Sequence, residues 1–354
     1  MNTQGIKSVS DYKDAAINKL GASLTDYIQK TAGTGKAFKA NLDVYSNYEI
    51  VPSEVTTSDL DTTIKVLGKT ISAPVMIAPT AWHKMFTLKG EADTSAAAKS
   101  FGTDYVISSF STLDFNEIDS DLSHTWYQLL MYKDVNLMKK YIDKAEQSGC
   151  SAIVLTIDAV TGCSMCKSDP NVEPVEFPVH KLPVFPENPE LPYTTLDDYY
   201  EKYMPMVLDW NVIKEIVSYS KLPIVLKGIL NNDDAKKAIE VGAKGIVISN
   251  HGGRQNDEAV ATLDGLTTLT PDIREKIDVY LDGGVRSGSD IFKAIALGAK
   301  AVFIGRPALY GLAMNGKDGL IDVLSIFTTE LKESMRTAGC GNLAQIDINK
   351  IIKK

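Results

Sequence analysis

Eight apolar runs of strand length recur along the chain, each followed by a helical or longer connecting segment, and this alternation restricts the fold more than any other feature. The runs are Pro74 to Ala78, Tyr105 to Ser109, Trp126 to Met131, Ile153 to Ile157, Pro223 to Lys227, Ile246 to Ser249, Val279 to Leu281 and Ala301 to Ile304. Helical patterns lie between them at Leu88 to Phe101, Val135 to Gln147, Val212 to Tyr219, Asp233 to Val241 and Gly288 to Leu297. Glycines stand where such helices stop, at Gly102, Gly149, Gly242 and Gly298. Strand–helix alternation implies parallel strands. Eight such units close a (β/α)8 TIM barrel; an open, doubly wound sheet is the competing topology, but it is seldom this regular.

The barrel is expected over residues 71–354, preceded by an N-terminal helical segment, 1–70, that packs on it. That segment holds helical candidates at Val9 to Leu20 and Ser23 to Lys30, a break at Gly33 to Gly35, and an irregular stretch to Gly68. It has too little apolar sequence for a core of its own. A long loop follows the fourth strand. Eight of the 14 prolines lie between Pro170 and Pro205, which favours an extended lid over the barrel, or a plain connector, rather than a helix.

Composition excludes several functions. The net charge is -8, and basic residues do not cluster, which argues against a nucleic-acid surface. Lys353-Lys354 reads as a frayed tail. No apolar run is long enough to span a membrane and the first residues lack a signal-peptide core, so a cytoplasmic location is expected. Four cysteines are too few for a disulfide framework in a chain of 354 residues. Cys163 and Cys166 form a Cys-x-x-Cys pair without the second pair that a zinc site needs, and no metal is expected.

In a barrel of this kind active sites gather at the carboxyl ends of the strands. The sixth run empties into Asn250-His251-Gly252-Gly253-Arg254, which places a base and a cation beside two glycines that admit a ligand. The plainer reading is a loop histidine beside a surface arginine. Lys227 ends a run of aliphatic residues, where a buried ammonium is costly without an anionic partner. Asp282-Gly283-Gly284-Val285-Arg286 and Gly305-Arg306-Pro307 end the seventh and eighth runs, where barrels commonly hold a phosphate. A phosphorylated cofactor or substrate follows.

Five segments carry a resemblance: Ile-Ala-Pro-Thr-Ala at 77–81, Leu-Pro-Ile-Val-Leu-Lys-Gly at 222–228, Ser-Asn-His-Gly-Gly-Arg-Gln at 249–255, Leu-Asp-Gly-Gly-Val-Arg at 281–286 and Phe-Ile-Gly-Arg-Pro at 303–307. Together they resemble the FMN-dependent 2-hydroxy acid oxidases and dehydrogenases, which include glycolate oxidase and lactate oxidase. The likeness runs from about Val9 to Ile346. It implies FMN across the barrel mouth, with the ring near Pro79, Thr80, Ala81, Ser108, Gln128 and Thr156. Lys227 would meet the N1 and O2 edge, with Ser249 in the same set, and Asp282, Gly284, Arg286, Gly305 and Arg306 would surround the phosphate. His251 resembles the family's base, Asp158 its orienting carboxylate, Arg254 the substrate-carboxylate clamp and Tyr27 a tyrosine reaching over from the N-terminal segment. A 2-hydroxy acid, oxygen or another electron acceptor, and a homotetramer are implied as partners.

Three positions depart from the family pattern. Gln128-Leu129-Leu130 replaces Gln-x-Tyr; Ser164 or Met165 falls where a second arginine grips the carboxylate; and Phe110 stands where a tryptophan or similar ring often lies. Losing one hydroxyl and one clamp costs a small carboxylate about 2 to 5 kcal/mol, and Lys167 and His180 are the nearby cations that could stand in. A bulkier or less polar substrate than glycolate is therefore expected. The alternative is a flavin-binding sensor or scaffold that has lost hydroxy acid turnover.

Overall fold

The computed structural model describes residues 6–54, 59–159, 172–173, 196–205 and 207–354. Cys163, Ser164, Met165, Cys166, Lys167 and His180 lie outside them. The chain opens with α1 (Val9–Gln29) and α2 (Lys36–Asp43), then β1 (Tyr48–Ile50) and the hairpin β2 (Ile64–Val66) and β3 (Lys69–Ile71). Eight barrel strands follow: β4 (Val75–Ile77), β5 (Tyr105–Ile107), β6 (Thr125–Leu130), β7 (Ala152–Thr156), β8 (Ile224–Ile229), β9 (Gly245–Ile248), β10 (Asp278–Leu281) and β11 (Ala301–Ile304). The helices among and after them are α3 (Glu91–Phe101), α4 (Phe115–Ile118), α5 (Val135–Gln147), α6 (Leu196–Tyr203), α7 (Trp210–Tyr219), α8 (Asn232–Glu240), α9 (Thr262–Thr267), α10 (Pro271–Lys276), α11 (Gly288–Ala296) and α12 (Arg306–Thr337). The last strand is β12 (Ile351–Lys353).

β4 to β11 pair in parallel and close on themselves through β11 and β4, which is the (β/α)8 barrel the alternation demanded. Most of these strands are buried along their whole length, because helices cover one face and the barrel interior the other. Inside, Trp126, Tyr280 and Phe303 meet edge to face with centroids 5.7 to 5.8 Å apart. Below them the β2–β3 hairpin closes the N-terminal end with Val66 and Ile71. Lys69 Nζ lies 2.8 Å from Asp104 Oδ1, and Trp126 Nε1 donates to Asp104 Oδ2 at 3.0 Å. That end is packed shut. Chemistry is left to the carboxyl end.

Strand boundaries fall within two residues of expectation, but two readings of the chain's margins are corrected. The stretch before Gly68 is not irregular, since it contains α2, β1 and the hairpin. The C-terminus is not a frayed tail either: β12 pairs antiparallel with β1, Tyr48 opposite Lys353 and Ile50 opposite Ile351, and Lys354 N donates to Asn47 O at 2.9 Å. Within α1, Gly21 (φ 74°) breaks the helix between the two segments read from the sequence. The N-terminal helix lies along α12, where Tyr12 OH donates to Asp322 at 2.8 Å and Lys19 Nζ caps the carbonyls of Ala313 and Met314 ahead of a kink at Asn315-Gly316. Among the described residues no helix is long and apolar enough to cross a membrane, and no group of three His, Cys, Asp or Glu is placed to hold a metal ion.

Candidate active site

β9 ends at Ile248 and the chain turns sharply over Asn250 to Gly253, where Gly253 N donates to both Asn250 O and Asn250 Oδ1 at 3.1 Å. The turn puts His251 in the left-handed region, at φ 58°. His251 Nδ1 then lies 3.1 Å from Oδ1 of Asp158, which follows β7. Burial would raise the Asp158 carboxyl, but His251 and Lys227 outweigh it and hold the group below its ordinary value. An ionised carboxylate only accepts, so the facing Nδ1 is the ring nitrogen that donates. That leaves Nε2 as the ring nitrogen not turned to Asp158, an arrangement that can serve proton transfer.

Gly228 in β8 makes that contact possible. Its φ is 111°, and a Cβ there would sit 2.6 Å from Asp158 Cβ. Gly228→Ala should therefore push Asp158 off His251 and slow any reaction that uses the pair by about tenfold or more, read as the rate at saturating substrate. An unchanged rate would mean that the added methyl is absorbed elsewhere.

A row of polar side chains runs around the mouth from strand to strand. Gln128 Oε1 accepts from Ser109 N at 2.9 Å and from Ser108 Oγ at 3.5 Å, while Gln128 Nε2 donates to Thr156 Oγ1 at 3.1 Å. Thr156 is in register with Lys227, whose Nζ donates to Ser249 Oγ at 2.7 Å and lies 3.0 Å from Asp282 Oδ2. Ser108, Gln128, Thr156, Lys227, Ser249 and Asp282 are all buried. The anion that Lys227 required is thus a protein carboxylate. Burial would lower the Lys227 ammonium, but Asp282 and Asp158 raise it. Among the described residues Asp282 Oδ1 and Asp158 Oδ2 are buried acceptors without a hydrogen-bond partner, and could accept from a ligand's donors.

Three guanidiniums gather on the other side. Arg306 donates to Ile28 O at 2.8 Å, Gly252 O at 2.9 Å and Lys30 O at 2.9 Å, and lies 4.5 Å over the Phe38 ring. Arg254 donates to Tyr27 O at 3.1 Å and Lys30 O at 3.0 Å, 5.3 Å from the centre of the Tyr27 ring. Both grip the C-terminal carbonyls of α1, where the helix dipole favours cations. Arg286 donates to Val285 O at 2.7 Å. Desolvation, with Arg254 and Arg286 nearby, pushes Arg306 down to about 9. Such mutual repulsion favours an anion among them. Gly284 and Gly305 stand next to this cluster, and at Gly305 a Cβ would meet nothing closer than 3.6 Å.

Pro79, Thr80 and Ala81 follow β4 and are half-buried at the same mouth. Sequence reasoning missed what holds them and their neighbours. Buried His83 bridges Thr80 Oγ1 and Thr94 Oγ1, each at 2.7 Å. Asp257 accepts from Thr34 N and Lys36 N, both at 2.6 Å, and so caps the start of α2. Buried Asn41 pairs with Asn250. A polar residue at a buried helical position was the one available signal. Around Tyr27 the mouth is aromatic: Trp82 lies 6.0 Å and Phe86 6.3 Å away, Trp82 meets Phe110 at 5.3 Å, and Phe110 meets Tyr200 at 6.3 Å. Leu130, at the end of β6, adds buried methyl groups in register with Thr156.

The donor set fits FMN: a buried polar row with a lysine for the ring edge, unpartnered carboxylate oxygens for hydroxyl donors, and arginines beside glycines for a phosphate. A family profile described as FMN-dependent dehydrogenase matches residues 16–353. The 2-hydroxyacid oxidase 2 of Homo sapiens is 35% identical over 347 residues, 97% of each chain. L-lactate oxidase of Nostoc sp. is 37% identical over 348 residues, 95% of each. Among solved structures, mandelate oxidase superposes with a TM-score of 0.85 at 30% identity, covering 99% of this chain and 98% of that one. Fold, mouth chemistry and relatives converge, and the chain belongs to the FMN-dependent dehydrogenase family, as an oxidoreductase that acts on CH–OH donors with FMN as its cofactor.

Proposed function

We propose that the protein oxidises a 2-hydroxy acid with a bulky, apolar side chain to the 2-oxo acid and passes the electrons to oxygen, forming hydrogen peroxide, or to another acceptor. The observation that carries the reading is the His251–Asp158 pair, 3.1 Å apart, on the mouth that also presents Lys227 and Arg254. Arg254 binds the substrate carboxylate with its planar guanidinium, and Tyr27 packs beside it. His251 Nε2 receives a proton from the substrate, and Asp158 stabilises the imidazolium that forms. FMN, when bound, supplies the acceptor for the electron pair. Ser108, Gln128, Thr156, Lys227, Ser249 and Asp282 would hold its ring and hydroxyls beside Pro79, Thr80 and Ala81, while Arg286, Gly284, Gly305 and Arg306 would hold its phosphate.

Leu130 and the rings of Tyr27, Trp82, Phe110 and Tyr200 support the preference for bulk, since apolar surface rewards an apolar side chain by about 25 cal/mol per Å² covered. The test is anaerobic bleaching of the purified flavoprotein by a panel of 2-hydroxy acids. Aryl and branched members should reduce the flavin with about tenfold or more greater efficiency than glycolate or lactate. Equal efficiency for glycolate would sink the preference, and bleaching by none would leave a flavin-binding chain without turnover. A peroxide assay in air identifies the acceptor.

A further inference from the structure

Asn41 is a fully buried amide on α2, an element outside the barrel. Its Nδ2 donates to Asn250 Oδ1 at 2.8 Å, and Asn250 Nδ2 donates back to Asn41 Oδ1 at 2.9 Å. Asn41 Oδ1 also accepts from Thr262 N, the first residue of α9, at 3.1 Å. The Asn250 amide continues to Val260 O and Gly253 N, both at 3.1 Å. The backbone of Asn41 presses on the next loop as well, because a Cβ on Gly284 would fall 1.8 Å from Asn41 O. One residue of the N-terminal segment therefore touches both the loop that carries His251 and the loop that carries Arg286.

A buried amide is tolerated only when its groups are paired, and these two pair with each other and with the backbone of residues 253 to 262. His251, directly after Asn250, holds a positive φ that persists only where its surroundings over-determine it. Asn250 Oδ1 closes that turn, and Asn41 fixes the Asn250 amide. We infer that Asn41 is a positioning residue: through Asn250 it holds the 250–253 turn and keeps the His251 imidazole on Asp158. The inference rests on the reading of His251 as the base.

The experiment compares Asn41→Ala, Asn250→Ala and the double variant. Hydrogen exchange on the apoprotein should accelerate by about tenfold or more over residues 249–262 in Asn41→Ala, while amides of β4 and β7 keep their protection. In the flavin-loaded protein the limiting rate of anaerobic reduction should fall by about 10- to 100-fold, with the apparent Kd for the 2-hydroxy acid changed by less than about threefold, because the imidazole moves while Arg254 stays on α1. The double variant should be no slower than the slower single one, since the pair acts as a unit. Asn41→Ser, which keeps one hydroxyl for Asn250, should fall between wild type and alanine and carries the same readouts if Asn41→Ala does not fold. Unchanged exchange at 249–262, acceleration spread evenly over the barrel strands, or a reduction rate as fast as wild type would overturn the inference. Failure of the hydroxy acid reading itself would look different, with no bleaching in any variant and the loop exchange still accelerated in Asn41→Ala.

Discussion

His251→Gln lowers the limiting rate of anaerobic flavin reduction by about 10²- to 10⁴-fold, the range expected when a positioned general base is removed. A glutamine amide can still bond to Asp158, so the loop keeps a partner for the carboxylate, but an amide takes no proton at neutral pH. FMN affinity should be unchanged, because the residues proposed to face the ring edge are those grouped around Lys227 with Ser249 and Asp282. Stopped-flow bleaching with a saturating 2-hydroxy acid measures the first quantity and fluorescence titration of the apoprotein the second. A loss smaller than about tenfold would move the base to another residue. His251 and Lys227 together hold the Asp158 carboxyl below its ordinary value against burial, so the substitution also takes away one of its two supports. Asp158→Asn added to His251→Gln should therefore cost far less than it does alone.

Lys227→Met is the second large effect, and it is read in stability. The Lys227 and Asp282 side chains are only 5% and 9% exposed, at an Nζ–Oδ2 distance of 3.0 Å. Methionine fills the space of the lysine stem but leaves Asp282 and Asp158 together in a desolvated mouth with no ammonium between them. Breaking a buried pair from one side costs about 3 to 5 kcal/mol, against about 0 to 1 for an exposed one. Denaturant unfolding of the apoprotein should show the loss, and FMN binding should weaken with it. The double variant Lys227→Met, Asp282→Leu should recover part of the stability and none of the FMN affinity. Unfolding within about 1 kcal/mol of wild type would mean that the pair is not desolvated as its geometry implies.

The barrel was legible because all eight strands carry an apolar run, five of the connections a helical period, and several a stopping glycine such as Gly149 or Gly298. The helix of residues 36–43 was not legible. It has eight residues, and what holds it is contact with the mouth, through Asn41 and through Asp257 at its start. The C-terminal strand was missed for a related reason, since its partner strand, β1, lies about 300 residues earlier in the sequence, beyond the reach of any local pattern. Within the site, residues at strand ends could be read from position, as with Lys227 and His251. Their partners could not, because Asp282 on Lys227, Asn41 on Asn250 and His83 on Thr80 are set by folding rather than by spacing. Arg306 shows the same limit. The motif places it at a phosphate, yet three of its donors also secure the end of α1 and the turn after His251.

The pairing of β1 with β12 ties the segment before the barrel to the segment after it. Tyr45, just before β1, donates its hydroxyl to Gly283 O at 3.1 Å and accepts Lys293 Nζ on its carbonyl at 2.9 Å, so this margin of the mouth is anchored beside the strand that needs Ile351 to Lys353. The ladder joins residues 48–50 to residues 351–353, so it closes only across the whole barrel sequence that lies between them. Such a contact carries a large loop-closure cost and forms late, so disrupting Ile351 to Lys353 should loosen the margin around Tyr45 while the barrel strands stay paired.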